Sequence, residues 1–109
     1  MLDRLSGEIE RYMDLLSARQ KLVASNIANA DTPGYHTQDI DFQKEFLTAG
    51  GGLQIIEPSD LKIKNDGNNV SLDRESRLLA ENALRFQLAA QLLKSQMRVV
   101  RSAIQEGKS

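Results

Sequence analysis

Apolar residues recur every three or four positions over the first third of the chain, which is the spacing of one helix face. The stripe consists of Leu2, Leu5, Ile9, Tyr12, Leu16, Val23 and Ala30, with Met13 and Ile27 on an adjoining line. Because no proline interrupts it, the pattern predicts a helix over residues 3–29. The stripe is narrow, as in the seam of a coiled coil.

The same spacing returns near the C-terminus and predicts a second long helix over residues 73–106. Its stripe consists of Leu79, Asn82, Phe86, Ala89, Leu93, Met97, Val100 and Ile104. Asp73 is the predicted N-cap with Leu72 packing just before it, and Gly107 is the predicted stop. Apolar positions also lie outside both stripes, at Leu15, Leu22, Leu78, Leu92 and Val99. This surplus predicts contact with helices of other chains.

The segment between the two helices alternates short apolar runs with turn residues. Residues 53–56 predict a short strand, and residues 61–64 alternate apolar and charged side chains as a half-exposed strand does. Asp66-Gly67 is a hairpin signal, with residues 70–72 as the expected return strand. Residues 50–52 are three glycines, which predict a flexible break.

The sequence therefore predicts a mainly α protein. Long N- and C-terminal helices form a helical hairpin or coiled coil, joined by a short irregular or β-hairpin middle region. We expect one domain over residues 1–109, with the N-terminal helix and a turn in 1–35, the middle region in 36–72 and the C-terminal helix in 73–109.

Composition narrows the possible functions. The net charge is −1, and no basic stripe is dense enough to indicate nucleic-acid binding. The chain has no cysteine, so disulfides and thiolate metal sites are excluded. No run approaches the ~20 apolar residues that span a bilayer. The N-terminus shows no cleavable secretory signal, so we expect export, if it occurs, to follow another route.

The sequence contains few residues in an arrangement that would indicate catalysis. The single histidine, His36, is predicted to be a solvated loop residue. The acidic residues near it lack the order of a calcium-binding loop; they are Asp31, Asp39, Asp41 and Glu45. The three glycines are not followed by the Lys-Ser/Thr pair of a phosphate-binding loop. We therefore expect no enzyme activity, metal, cofactor or small-molecule substrate.

Three asparagines fall on or beside the apolar stripes. Asn82 is predicted to be a buried amide that fixes the register of packed helices, a known use of asparagine in seams. Asn29 is predicted to be a terminal cap. For Asn26 the residues leave both possibilities open.

Residues 25–35 carry the sharpest local signal. Proline cannot continue a helix, and glycine allows a positive φ, so Pro33 and Gly34 predict a helix end and a sharp change of direction. The residues assigned to this signature turn are Asn26, Asn29, Thr32, Pro33, Gly34 and Tyr35.

This stretch resembles the N-terminal signature of bacterial flagellar basal-body rod proteins and related axial proteins. Within residues 19–35, Ser-Asn-Ile-Ala-Asn is followed by Thr-Pro-Gly-Tyr, as in that signature. Residues 66–75 and 81–87 also resemble this family, and the middle region is short for it.

The resemblance implies a structural subunit of the basal-body rod, needed for flagellum assembly and motility. Such proteins leave the cytoplasm through the flagellar type III export apparatus without signal cleavage. They assemble in the periplasm as a helical rod, in contact with other rod subunits and with ring or adaptor proteins. Their terminal helices pack together and become ordered on assembly. The predicted assembly residues are Leu5, Ile9, Leu16, Val23, Ile27, Leu79, Asn82, Phe86, Leu93, Val100 and Ile104.

A second hypothesis belongs to another class. Periodicity and composition also suit a cytoplasmic coiled-coil adaptor or export chaperone that binds a client helix. Such a protein should be a stable, helical dimer on its own, whereas a free rod subunit should be largely monomeric with frayed termini.

Overall fold

Two long antiparallel helices dominate the computed structural model, which describes residues 2–48 and 52–107, with side chains from Arg4 onward. Helix α1 is Leu2–Ala28 and helix α3 is Leu72–Gly107. The molecule is elongated, with extents of 70 × 26 × 17 Å. The predicted mainly α fold with a helical hairpin is confirmed.

The core is a narrow seam that continues into the middle region. Its buried apolar side chains are Ile9, Leu16, Val23, Ala30, Ile40, Val70 and Ala89. The predicted stripe of α1 is thus largely buried. The stripe of α3 is buried less completely, because Phe86 and Ile104 remain 41% and 54% exposed. A single chain therefore leaves much of the apolar surface of α3 uncovered.

Two short strands and a short helix form the middle region. Strand β1 (Asp39–Ile40) pairs antiparallel with β2 (Ile55–Ile56). Helix α2 (Phe42–Leu47) was not predicted. It begins at the N-cap Asp41, whose carboxylate accepts a hydrogen bond from the Lys44 N–H at 3.2 Å.

Aromatic contacts dock α2 on α1. The Tyr12 ring meets Phe42 and Phe46 edge-on, with centroids 5.3 and 5.7 Å apart. The Arg11 guanidinium donates to the Thr48 carbonyl at 3.0 Å, just beyond the end of α2. Helix α2 is thus held at its side and at its C-terminal end.

The predicted hairpin in the middle region is wrong. Residues 61–64 and 70–72 form no strand, and the predicted strand over residues 53–56 is confirmed only at Ile55–Ile56. The tight turn at Asp66-Gly67 does exist, since the Gly67 N–H donates to the Lys64 carbonyl at 2.9 Å. The Asn68 carbonyl accepts from the Lys64 N–H at 2.8 Å, but the Asn69 N–H donates to the Tyr35 carbonyl at 3.2 Å, so the chain then follows the signature turn. Of the predicted glycine break, Gly50 and Gly51 lie outside the described residues.

The predicted start of α3 also needs correction. Ser71 rather than Asp73 is the N-cap, because its hydroxyl accepts a hydrogen bond from the Arg74 N–H at 3.2 Å. Leu72 is consequently the first helical residue, and it is exposed instead of packing against the first turn.

Candidate functional site

The signature turn begins where α1 ends, at Ala28. The Asn29 side chain donates to the Ser25 carbonyl at 2.9 Å and accepts from the Thr32 hydroxyl at 3.1 Å. The predicted terminal cap at Asn29 is confirmed. The helix ends at Ala28, one residue before its predicted end, and Pro33 does not directly adjoin it.

Pro33 and Gly34 instead form the predicted change of direction. The Tyr35 N–H donates to the Thr32 carbonyl at 3.2 Å, which closes a four-residue turn. Gly34 has φ +75, as the third position of a type II turn requires. Gly67 lies against it, also with positive φ, and a Cβ on Gly67 would lie 3.4 Å from the Gly34 Cα. The signature turn and the turn at Asp66-Gly67 therefore contact each other through these two glycines.

We expect Gly67→Ala to lower the free energy of unfolding by about 1–2 kcal/mol, since a positive φ is unfavourable for alanine. Gly7→Ala is a matched control, for which we expect the free energy of unfolding to increase. Gly7 lies in α1 with open space around it, so alanine should stabilise the helix by about 0.5–1 kcal/mol. Urea unfolding followed by circular dichroism measures both changes. A Gly67→Ala protein as stable as the wild type would contradict the positive φ assigned to Gly67.

The residues after Gly67 bind the signature turn through their side chains. Asn68 is fully buried, and its amide donates to the carbonyls of Asn29 and Thr32, both at 2.9 Å. The Asn69 side-chain oxygen Oδ1 accepts from the Thr37 N–H at 2.6 Å. These contacts are not evident from the sequence, because the polar run carries the local signal of an exposed hairpin turn.

Asn26 is the centre of this region. It is fully buried, and its amide donates to the Gln38 carbonyl at 2.8 Å and to the Glu75 carboxylate at 2.7 Å. Its carbonyl oxygen accepts from the Gln38 N–H at 3.0 Å and the Tyr35 hydroxyl at 3.1 Å. The side chain thus uses its full hydrogen-bonding capacity. Its role is to join α1, the chain after the signature turn and the start of α3.

Together these asparagines form what we term the amide clasp, which consists of Asn26, Asn29, Asn68 and Asn69. The clasp closes the signature end of the hairpin, where the polypeptide enters and leaves the middle region. Because buried amides without partners are costly, the clasp specifies one arrangement of the three segments that it joins.

Beside the clasp lies a cluster of two arginines and two carboxylates. Asp39 is buried and receives a bidentate hydrogen bond from Arg19, at 2.9 and 3.0 Å. It also accepts from Arg74 and from the Ile40 N–H. Burial acts to raise the pKa of Asp39, but the hydrogen bonds from Arg19 and Ile40, with the positive charge nearby, outweigh it and lower the pKa.

Glu75, the fourth member of the cluster, has the opposite environment. Its side chain is fully buried, and Oε1 accepts from Asn26 and, at 3.0 Å, from Arg74. Oε2 has no hydrogen-bond donor among the described residues. Burial raises the pKa of Glu75, and the hydrogen bond from Asn26 only partly offsets this.

The seam contains a further buried amide. Asn82 donates from its amide to the Gln20 side-chain oxygen at 3.1 Å, across the interface of α1 and α3. The predicted burial of Asn82 is confirmed, while its effect on helix register remains a prediction.

The predicted assembly residues divide by exposure. Buried within the chain itself are Ile9, Leu16, Val23 and Asn82. Exposed are Leu5, Leu79, Phe86 and Ile104. Half-buried are Ile27, Leu93 and Val100. Only the exposed and half-buried positions present surface to another chain.

An apolar groove opens between α1, α2 and α3 at the other end of the hairpin from the clasp. Its walls include Leu5, Tyr12, Phe46, Leu88 and Leu92. The predicted stripes did not include Leu88, because it follows a second line along α3.

The remaining candidates for chemistry lie apart from one another. His36 and Glu57 face each other at 2.8 Å between Nδ1 and Oε1, near the surface. Within the described ranges, no group of three or more histidine and acidic side chains is placed to hold a metal ion. No helix in the same part of the chain is both long and apolar enough to cross a membrane.

Comparison with known protein families bears directly on the signature turn. A family model described as flagella basal body rod protein matches residues 13–36, which contain most of α1 and the whole turn. The flagellar basal body rod protein FlgB of Yersinia ruckeri is 31% identical, over 98% of this chain and 100% of the relative. FlgB of Salmonella typhimurium and of Escherichia coli are 31% and 30% identical, each over 98% of this chain and 99% of the relative.

The chain belongs to the FlgB family of flagellar basal body rod proteins. Its function is that of a structural subunit of the flagellar rod, located in the basal body. Membership in this family favours the rod hypothesis over the adaptor or chaperone hypothesis. The alignments to FlgB run over 137 positions, whereas this chain has 109 residues, so the relatives contain segments that it lacks. The amide clasp closes without those segments.

Proposed function

We propose that this FlgB-family chain is a non-enzymatic subunit of the proximal rod that assembles through the exposed faces of its two long helices. It reaches the periplasm through the flagellar type III export apparatus without a cleaved signal. There it contacts copies of itself, other rod subunits and the ring or adaptor proteins of the basal body. The division into residues 1–35, 36–72 and 73–109 is proposed to separate two assembly helices from the middle region.

The observation that carries this proposal is a second apolar stripe along α3. Its members are Leu84, Leu88, Leu92 and Val99, each about half exposed. Spacings of four, four and seven place them on one side of the helix, away from the seam that contains Asn82 and Ala89. An exposed apolar stripe of this length is typical of a protein-binding surface.

The groove and the stripe form one continuous surface. Leu88 and Leu92 belong to both, and Leu5 and Tyr12 of α1 extend the surface across the hairpin. A helix of a neighbouring subunit fits such a groove by inserting apolar residues one turn apart. Burial of this apolar surface would offset the entropy lost when the far ends of α1 and α3 are held against a neighbouring subunit.

The amide clasp prepares the chain for this contact. Asn26 joins α1 to α3 at the signature end, and Asn82, outside the clasp, joins them again along the seam. Together they set which apolar residues of each helix face the groove. A rod that transmits torque needs subunits with one defined shape. Buried and fully hydrogen-bonded amides are suited to specify that shape.

Leu88→Asp should abolish motility when it is the only copy in the cell, because it places a charge in the groove at the centre of the proposed interface. Leu88 is a better position for this test than Leu93, which is half-buried in the chain's own seam. Swimming and basal-body integrity are measured in soft agar and by electron microscopy.

Gln87→Asp is the matched control. Gln87 is the neighbouring exposed residue, and it points away from both the seam and the second stripe. This variant should swim normally. Wild-type swimming with intact basal bodies in the Leu88→Asp strain, at equal protein level, would refute the proposed interface.

A further inference from the structure

The two carboxylates of the cluster, Asp39 and Glu75, receive different numbers of hydrogen bonds from its two arginines. Asp39 receives three hydrogen bonds from guanidinium groups and a fourth from a backbone N–H. Glu75 receives one hydrogen bond from Arg74 and one from Asn26, both on Oε1. Its other oxygen, Oε2, is buried without a donor among the residues that the structure describes.

We propose that Glu75 is a proton-binding site, and that uptake of one proton from solvent onto its carboxyl group tightens the clasped end of the hairpin. A charged oxygen that is removed from water without a hydrogen bond is costly, and a proton removes that cost. Oε1 can still accept from Asn26 and Arg74 when Oε2 carries the proton. The inference is independent of the proposed assembly surface, which lies elsewhere on α3.

Among the residues that the structure describes, three charged side chains form the cluster with Glu75. Arg74 lies on the same helix, Asp39 is on β1, and Arg19 of α1 reaches the cluster through Asp39. Arg74 favours the ionised form of Glu75, whereas Asp39 and burial disfavour it, and burial is the largest effect. Tyr35 contacts Glu75 only through Asn26.

The sign of the pH dependence follows from the raised pKa of Glu75. A group that holds its proton more tightly in the folded chain stabilises the fold as pH falls below its folded pKa. This stabilisation is lost again as pH rises through the folded pKa. The lowered pKa of Asp39 acts in the opposite direction, and only at lower pH. Stability should therefore rise on mild acidification and fall again in stronger acid.

A direct test is the carbon-13 NMR titration of the Glu75 carboxyl in the full-length chain. The expected midpoint in the folded chain lies above that of the same carboxyl in the urea-unfolded chain. A folded midpoint equal to or below the unfolded one would overturn the proposal, even if every variant failed to fold.

Urea unfolding over a pH series gives an independent readout. Between the ordinary and the raised pKa of Glu75, the folding equilibrium constant of the wild type should increase by up to ~10-fold per unit fall in pH. Glu75→Gln keeps an acceptor for Asn26 and Arg74 but cannot take up the proton, so this increase should disappear. Glu81→Gln, at an exposed carboxylate paired with Arg85, should retain it. A wild-type slope that persists in Glu75→Gln would contradict the assignment.

Discussion

Asn26→Ala is expected to lower the free energy of unfolding by about 3–5 kcal/mol, the largest effect of any single amide in the chain. The alanine removes one of the two hydrogen bonds to the buried Glu75 carboxylate, which keeps only Arg74, and the Gln38 N–H and carbonyl both lose the Asn26 side chain. Each unsatisfied buried group costs about 1–3 kcal/mol, and a charged one costs more. The Tyr35 hydroxyl also loses its acceptor.

Asn29→Ala provides the comparison, since the two asparagines lie one helical turn apart in the same signature. Asn29 donates locally to the Ser25 carbonyl at a half-buried site, so its loss should cost only about 1 kcal/mol. Urea unfolding at neutral pH measures both variants. Equal destabilisation by the two substitutions would show that Asn26 does not have the central role assigned to it.

Asp39→Ala should lower the free energy of unfolding by a similar amount, about 3–5 kcal/mol, because it leaves the partly buried Arg19 guanidinium unpaired and Arg74 with Glu75 as its remaining partner. The lowered pKa of Asp39 adds a pH signature. Its contribution is complete above the ordinary pKa of aspartate and is lost as pH falls through the folded pKa. The variant should therefore lose stability in acid less steeply than the wild type.

Asp41→Ala is the control for this prediction. Asp41 lies two residues away but is exposed and caps only α2, so its loss should cost about 1 kcal/mol. Urea unfolding of both variants at neutral pH and in acid measures the difference. Unfolding of Asp39→Ala that matches the wild type in acid dependence would contradict the charge assignment in the cluster.

The two long helices could be predicted because a spacing of three and four residues, sustained over many turns, has few other structural interpretations. Helix α2 could not. Its six residues are too few to establish a period, and it is stabilised by its N-cap Asp41 and by rings packed on Tyr12. Such contacts depend on the tertiary structure, not on the local sequence.

The clasp illustrates a second limit of sequence-based prediction. The partners of Asn26 are 12 and 49 residues away, so its position on a helix face could not distinguish a cap from a link between segments. The same applies to Asn68, whose acceptors lie 36 and 39 residues earlier. The Asp-Gly motif within residues 66–69 predicts a hairpin because a turn motif is local in sequence. The signature turn that these residues contact is distant in sequence, so the motif does not reveal that contact.

The resemblance to rod proteins identified the family without explaining the signature physically. The structure supplies that explanation. Asn29 ends α1, Gly34 provides the left-handed turn residue, and Asn26 with Tyr35 binds the middle region and α3. The signature is thus a folding element at the clasped end, while the proposed assembly surface lies along the groove and α3.

The central claim is that this chain enters the rod as a clasped hairpin whose groove is covered by a neighbouring subunit. Cryo-electron microscopy of basal bodies that carry a labelled copy of the chain tests it most directly. The account predicts label in the rod, density for two antiparallel helices joined at the signature turn, and a neighbouring helix against Leu88 and Leu92. Label outside the rod, or helices separated at Asn26 and Glu75 with the groove open to solvent, would contradict it.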